Sequence, residues 1–379
     1  MAIRPEISTA ELEASIRSRL GASVDVRVRK RQPFRIPKGG TGSYFEHVAF
    51  EASDRKIQAV LKVGRMTGPP TREALFFGRY SADSPLRTPR CYGVGQFSRD
   101  TDAWVLMEKL PRGKRLADWK LDETRDALRN LAALHAKYLG QPLPDLPRPL
   151  TEDLERWLAF VPQGARQIRG VFDEYPNLPR FASDRAFDLL LRLCDRPAVF
   201  RDAFARSPET LLHGDYHRAN LIAPDSGPQV AYDWQHACAG PPVYDVAVFW
   251  STLDLISRRG PLGLFDALDV GERCLSWDDV RLTYGTALQQ LRPDADIDAI
   301  FSCADEALAW EIARQVMYMG PAMAESQAAM IRFAYKDHRT IGKWAIRLLG
   351  LEKVLIHYRN IFAEFEVRGK RLLNLSAAA

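Results

Sequence analysis

The period of apolar positions changes along this chain. Leu12, Ile16 and Leu20 recur at every fourth position behind Ser8 and Glu11, a capping-box pair, and predict a short amphipathic helix. Val24, Val26 and Val28 then alternate with charged residues, the period of a half-buried strand. A glycine-rich stretch (Gly39, Gly40, Gly42) precedes apolar alternation at Phe45, Val48 and Phe50, and a further strand, IQAVLKV, ends near Lys62. TREALFFGRY reads as a helix with Thr71 as its N-cap, and RCYGVG and AWVLMEKL read as two more strands. Residues from about 24 to 109 therefore predict a small, mostly antiparallel sheet with one inserted helix.

From Arg115 the period becomes helical. Asp122 is placed to cap a helix carrying Leu128, Leu131, Leu134 and Tyr138. Further helices are expected at about 151–169, 184–195, 243–258, 277–291, 297–319 and 326–366, the last broken near Gly350. One β signal interrupts them. In LLHGDYHRANLIAPDSGPQVAYDWQ, Leu221–Ala223 and Val230–Tyr232 flank Pro-Asp-Ser-Gly-Pro, a strong turn sequence. Pro111 marks a lobe boundary. The expected architecture is α+β: an N-lobe over 1–110, and a larger, mainly helical C-lobe over 111–379 that carries one functional hairpin, with a cleft at about 108–113.

With 379 residues and 46% hydrophobic content, the chain has ample core for two lobes. A net charge of +5, with no basic helix interleaved with aromatics, does not suggest a dedicated nucleic-acid binder, and no nucleic-acid partner is expected. The five cysteines are scattered, without a C-x-x-C pair, so neither a disulfide framework nor a zinc knuckle is expected and a reducing cytoplasm fits. The opening MAIRPEISTAELEAS has no apolar leader core, and no run of 18 uncharged apolar residues predicts a membrane span.

The hairpin holds the chemistry. His213-Gly214-Asp215 leads into it, Asn220 follows Asp215 by five residues, and Asp233 stands at its far end. A tight hairpin brings its ends together, so Asn220 and Asp233 meet although thirteen positions separate them. An amide oxygen and a carboxylate are hard ligands suited to Mg²⁺. Asp215, just upstream, is placed to accept a proton from an incoming hydroxyl. Lys62 at a strand end and Glu73 in the next helix have the arrangement of a phosphate-binding lysine oriented by a helix glutamate. Gly39, Gly40 and Gly42 can bring backbone N–H groups to phosphates, or can form only a hairpin turn.

HGDYHRAN resembles the H-G-D-x-x-x-x-N catalytic loop of the aminoglycoside/choline phosphotransferase superfamily, a branch of the protein-kinase-like fold, and DWQ stands in the place of its metal motif. AGPPVYDVAVFW resembles the segment that follows, in which an aspartate (Asp245 here) begins a helix and braces the catalytic loop. LAALHA around His135 resembles the family's C-lobe helix. The likeness runs from about Gly39 to Trp250 and is strongest over 211–250; DWQ with this C-lobe looks more like the broad family that includes choline-kinase-like and ecdysteroid-kinase-like members than like dedicated resistance enzymes. It implies a bilobal kinase-like fold and transfer of the γ-phosphoryl of ATP or GTP to the hydroxyl of a small molecule. Asp215 would be the base, Asn220 and Asp233 the Mg²⁺ ligands, and His213 a structural support. Backbone groups of Glu108–Leu110 would pair with the nucleotide base. Gly214 in place of arginine, Gln235 in place of glycine and the lack of an A-P-E segment separate the chain from protein kinases.

Two alternatives have sequence features of their own. His213-x-Asp215-x-His217 alternates ligand types, as a metal-dependent hydrolase would require. A non-catalytic pseudokinase would share the fold, yet no position of the core set is missing. Apart from that alternative, His217 and His236 have no assigned role. Residues 270–330 hold ten acidic and four basic residues, which either face a cationic acceptor or form solvated outer faces.

Overall fold

A five-stranded antiparallel sheet forms the amino-terminal part of the molecule, in a computed structural model that describes residues 7–34, 44–64, 72–96, 103–111, 113–114, 119–174, 180–225, 227–253, 255–256, 266–267, 275–322 and 358–374. Helix α1 (Thr9–Leu20) is followed by strands β1 (Val26–Phe34), β2 (Tyr44–Ala52) and β3 (Arg55–Gly64), helix α2 (Arg72–Arg79), and strands β4 (Cys91–Gln96) and β5 (Ala103–Glu108). The strand order is β1-β2-β3-β5-β4. The expected capping box starts α1: Glu11 N–H donates to Ser8 Oγ, and Ser8 N–H donates to the Glu11 carboxylate. Period two sorts the strands. Val48, Phe50 and Ala52 of β2 lie with Ala59, Leu61 and Val63 of β3 in one core cluster with Leu12 and Ile16 of α1. Lys62, one residue out of phase with Leu61, therefore points to the opposite face. The basic run of β1 lies on an edge strand, where Arg29 pairs with Glu51 and Arg31 with Glu46.

The remainder is mainly helical: α3 (Leu121–Tyr138), α4 (Leu154–Leu158), α5 (Val161–Glu174), α6 (Asp184–Cys194) and α7 (Pro197–Arg206) come first. Short strands β6 (Thr210–Leu212), β7 (Leu221–Ile222), β8 (Val230–Ala231) and β9 (Cys238–Gly240) follow. Helices α8 (Pro242–Ser251), α9 (Trp277–Leu291), α10 (Ile297–Phe301) and α11 (Ala304–Ala322) precede a helix over 358–374. The chain divides into two units, Met1–Gly113 with Asn220–Ala237, and Lys114–Ala219 with Cys238–Ala379. The β7–β8 hairpin, expected with the helical part, thus belongs to the sheet's unit. Ala231 N–H donates to Arg87 O at 2.9 Å, beside a bridge between Arg87 and Val230.

Several helix boundaries differ from the sequence expectation for local reasons. The helix expected over 151–169 breaks between α4 and α5, because Pro162 has no N–H to offer the carbonyl four residues back. The one expected over 297–319 is likewise two helices, and α8 stops at Ser251 rather than at 258. Helix α7 is an addition, opened by Pro197 at its first turn. Helix α3 begins at Leu121, with Lys120 rather than Asp122 at the N-cap position; the Glu123 carboxylate accepts the Lys120 N–H. Of the expected 326–366 helix, 326–357 lies outside the described residues, as do Thr71 and Gly350.

Helices α5 and α11 cross backbone to backbone at two glycines. A Cβ on Gly164 would sit 2.4 Å from Val316 O, and one on Gly320 would sit 2.4 Å from Gly164 Cα. Gly164→Ala must therefore push α11 away, and is expected to destabilise the protein by about 1–3 kcal/mol. A lowered urea midpoint with an unchanged m-value would register it.

Candidate active site

In the first unit, Lys62 Nζ lies 2.7 Å from Glu73 Oε2 and 2.5 Å from Asp233 Oδ1. Helix α2 brings Glu73 there because Glu73, Phe76 and Phe77, spaced three and four apart, form its buried face. Phe76 stacks on Trp234, with ring centroids 3.6 Å apart and planes 3° from parallel, and Trp234 Nε1 donates to Ala231 O. The residue after Asp233 thus ties the hairpin to the helix that carries Glu73. Burial by itself would lower the Lys62 pKa; the charges of Glu73 and Asp233 outweigh it and hold the ammonium above its ordinary value. Burial raises the Glu73 pKa, against the pull of Lys62.

Register places the two expected metal ligands together. Leu221 pairs with Ala231 and Ile222 with Val230, and Tyr232 N–H donates to Asn220 O at 3.1 Å, so Asn220 and Asp233 stand at the same end of the hairpin. Asp233 adopts the left-handed conformation (φ 65°), which Asp tolerates better than most residues at a cost of order 1 kcal/mol. Its side chain is 30% exposed against 10% for Lys62, so the carboxylate keeps an open side. One lysine between two carboxylates leaves this set net negative. A cation would offset that charge for an incoming anion, and an amide and a carboxylate oxygen are donors that fit Mg²⁺.

Glu108 and Leu110 sit at and just beyond the end of β5. The Glu108 N–H is bonded to Arg90 O at 2.8 Å and the Lys109 N–H to Gln58 O at 3.3 Å, so both of these donors are used within the sheet's unit. Gly39, Gly40 and Gly42 lie outside the described residues.

The second unit holds the H-G-D loop. Strand β6 pairs with β9 and ends at Leu212. Asp245, fully buried in the first turn of α8, accepts the His213 N–H (2.7 Å) and the Gly214 N–H (2.9 Å) on separate carboxylate oxygens. His135 Nε2 lies 3.4 Å from the same aspartate and its Nδ1 lies 2.7 Å from Tyr284 Oη. Gly214 has φ +76°, a conformation that a side chain would strain. Tyr216 Oη donates to Ala127 O, and Arg218 donates to Leu253 O beneath its stack on Trp119. The loop is thus clamped on both sides of Asp215.

His213 is buried, and its Nδ1 accepts the Asp215 N–H, so it faces its own loop. A His213/Asp215/His217 metal trio is not assembled; among the described residues no group of three or more His, Cys, Asp and Glu side chains is arranged to hold an ion. His217 does contact Asp215, with Nε2 3.2 Å from Oδ2. Arg314 Nη1 lies 2.9 Å from Asp215 Oδ1. No motif marks Arg314; only its helical spacing from Glu311, to which it is also bonded, is visible in the sequence. Much of the acidic excess of 270–330 caps helices or is paired: Asp279 with Ser276, Asp296 at the start of α10, Asp294 with Arg292, Asp298 with Arg281 and Asp305 with Arg368.

A lysine–glutamate pair on an antiparallel sheet and its helix, with an H-G-D loop braced from a helix start in a mainly helical part, defines a protein-kinase-like fold. The chain belongs to the phosphotransferase enzyme family, whose model matches residues 45–281. Spectinomycin phosphotransferase in complex with ADP and spectinomycin is similar in structure, with a TM-score of 0.50 at 11% identity over 97% of this chain and 99% of the other. Choline kinase from Cryptosporidium parvum gives 0.49 at 11% identity (94% and 91% covered). A putative fructosamine-3-kinase from Thermobifida fusca gives 0.45 at 16% (83% and 97%). No curated protein matches the chain. Among the described residues no helix is long and apolar enough to cross a membrane.

Proposed function

We propose that the protein transfers the γ-phosphoryl group of ATP or GTP to the hydroxyl of a small molecule. The observation that carries this reading is the Lys62 ammonium held between Glu73 and Asp233, at the end of the hairpin that also bears Asn220. Lys62 binds the α/β-phosphates and Glu73 keeps its ammonium on station. Asn220 and Asp233 would hold Mg²⁺, which would supply positive charge to offset that of the phosphates. The Leu110 peptide meets the base, within an N-lobe that binds the nucleotide. Asp215, in the C-lobe, orients the acceptor hydroxyl and takes its proton; the loop clamped by Asp245 fixes where that carboxylate stands. Paired acidic residues in the C-terminal helices weaken the case for an acidic, cation-seeking acceptor site there.

The test is ADP or GDP release with Mg²⁺ across aminoglycosides, choline, sugars, hydroxy acids and sterols. Acceptor-dependent release with a phosphorylated product supports the reading; release with no acceptor in any class, under conditions where the protein is folded, refutes it. Lys62 has an internal control in Lys56, exposed on the same strand. Lys62→Ala is expected to weaken nucleotide binding or turnover at least tenfold, because an ion pair with desolvated phosphate is lost. Lys56→Ala should stay within twofold. Fluorescent-nucleotide titration of both variants checks it, and equal effects would remove the special role of Lys62.

A further inference from the structure

Arg314 is bonded on three of its nitrogen edges. Its Nε and Nη2 take both oxygens of Glu311, at 2.7 and 3.0 Å, and its Nη1 takes Asp215 Oδ1 at 2.9 Å. Glu311 is fully buried and also accepts an N–H of Gln315 Nε2 at 2.9 Å; Gln315 in turn donates to Ser251 Oγ of α8, the helix whose first turn holds Asp245. The glycine contact with α5 fixes α11, and so fixes where this guanidinium stands. Burial of Tyr244 raises its pKa well above the ordinary value, so it adds no charge beside Arg314.

A buried arginine–glutamate pair is a poor device for stability, since desolvation cancels most of its attraction and apolar residues of the same volume serve as well. Its value lies in geometry. A bidentate pair is rigid, and this one presents its free edge to a single target. The charges also matter. Glu311 cancels the charge of Arg314, so the clamp can orient the Asp215 carboxylate without neutralising it: Glu311, Arg314 and Asp215 together remain net negative by one. An unbalanced arginine would instead seal Asp215 in a plain ion pair.

We infer that Arg314, fixed by Glu311, is a positioning residue that holds one oxygen of Asp215 and so sets the direction in which its carboxylate meets the acceptor hydroxyl. This rests on the proposed role of Asp215. Transfer geometry is sensitive, and a displacement of about 1 Å can lower a rate by roughly 10²-fold.

The experiment is a mutant cycle with Mg·ATP, using as acceptor the compound the screen returns and, separately, water. Arg314→Met is expected to lower kcat about 10–100-fold while the KM for ATP stays within threefold, and Arg314→Lys should recover part of the loss. In an Asp215→Asn background the same Arg314→Met change should alter kcat by less than threefold, since Arg314 acts only through Asp215. A merely structural role would lower kcat equally in both backgrounds, and that result overturns the inference. So does an unchanged kcat in Arg314→Met, or a parallel rise in the KM for ATP. If Arg314→Met fails to fold, Glu311→Met/Arg314→Met removes both buried charges and is read in the same cycle. Full turnover by Asp215→Asn itself would overturn the reading of Asp215, and would be recognised separately from a failed cycle.

Discussion

Asp215→Asn is expected to lower turnover by roughly 10²–10⁴-fold, the usual contribution of a general base, with nucleotide affinity changed by less than threefold. An alcohol is a poor nucleophile while it keeps its proton, and a carboxylate beside it both aligns the oxygen and receives the proton as the P–O bond forms. Asparagine keeps the shape and can still accept the Arg314 Nη1–H on its amide oxygen, so the loop stays in place. It cannot take the proton. The proposed metal ligands are other residues, which is why nucleotide affinity should survive. The decisive measurement is kcat with a saturating acceptor beside nucleotide binding on the same preparation. Normal turnover at saturation with lost nucleotide affinity would make Asp215 a nucleotide-binding residue instead.

Asp233→Asn is expected to be comparably severe by a different route. The carboxylate is a proposed ligand to Mg²⁺ and a partner of Lys62 at 2.5 Å. Metal stabilisation of transferring charge contributes several kcal/mol; losing about 4 kcal/mol corresponds to roughly a 10³-fold drop in rate. Asparagine is the informative substitution because it tolerates the left-handed backbone at φ 65° better than alanine. Lys62 keeps its 2.7 Å pair with Glu73, so the fold should persist. Turnover should fall at every Mg²⁺ concentration, and the Mg²⁺ needed for half-maximal rate should rise. Near-wild-type turnover over the same Mg²⁺ range would remove Asp233 from the metal site.

The two predictions differ in how readable their residues are. Asp215, Asn220 and Asp233 lie within one short segment, where a turn sequence and two β pairs dictate the geometry, so spacing alone places two of them at one hairpin end. Lys62 and Glu73 are readable because a strand of period two feeding a helix has few ways to pack. Trp234 is printed beside Asp233, but its stacking on Phe76 depends on where α2 docks. Arg314 lies 99 residues beyond Asp215 with no motif around it.

What the sequence by itself determined was local: the sheet's alternation, most helices, the capping box, the turn, and the motif residues that family resemblance singled out. It misjudged the continuity of helices at Pro162 and Ser302 and overlooked α7, where a proline opens a helix rather than ending one. The tertiary structure alone decided that the hairpin belongs with the sheet, through Arg87, and that Arg314, held by Glu311, reaches Asp215 of the H-G-D loop. The physical reason is range. Periodicity, caps and turns act over three or four residues and leave a trace in neighbouring letters. A contact between a loop and a helix a hundred residues away is set by how α11 crosses α5, and that depends on two glycines whose importance shows only when the helices touch.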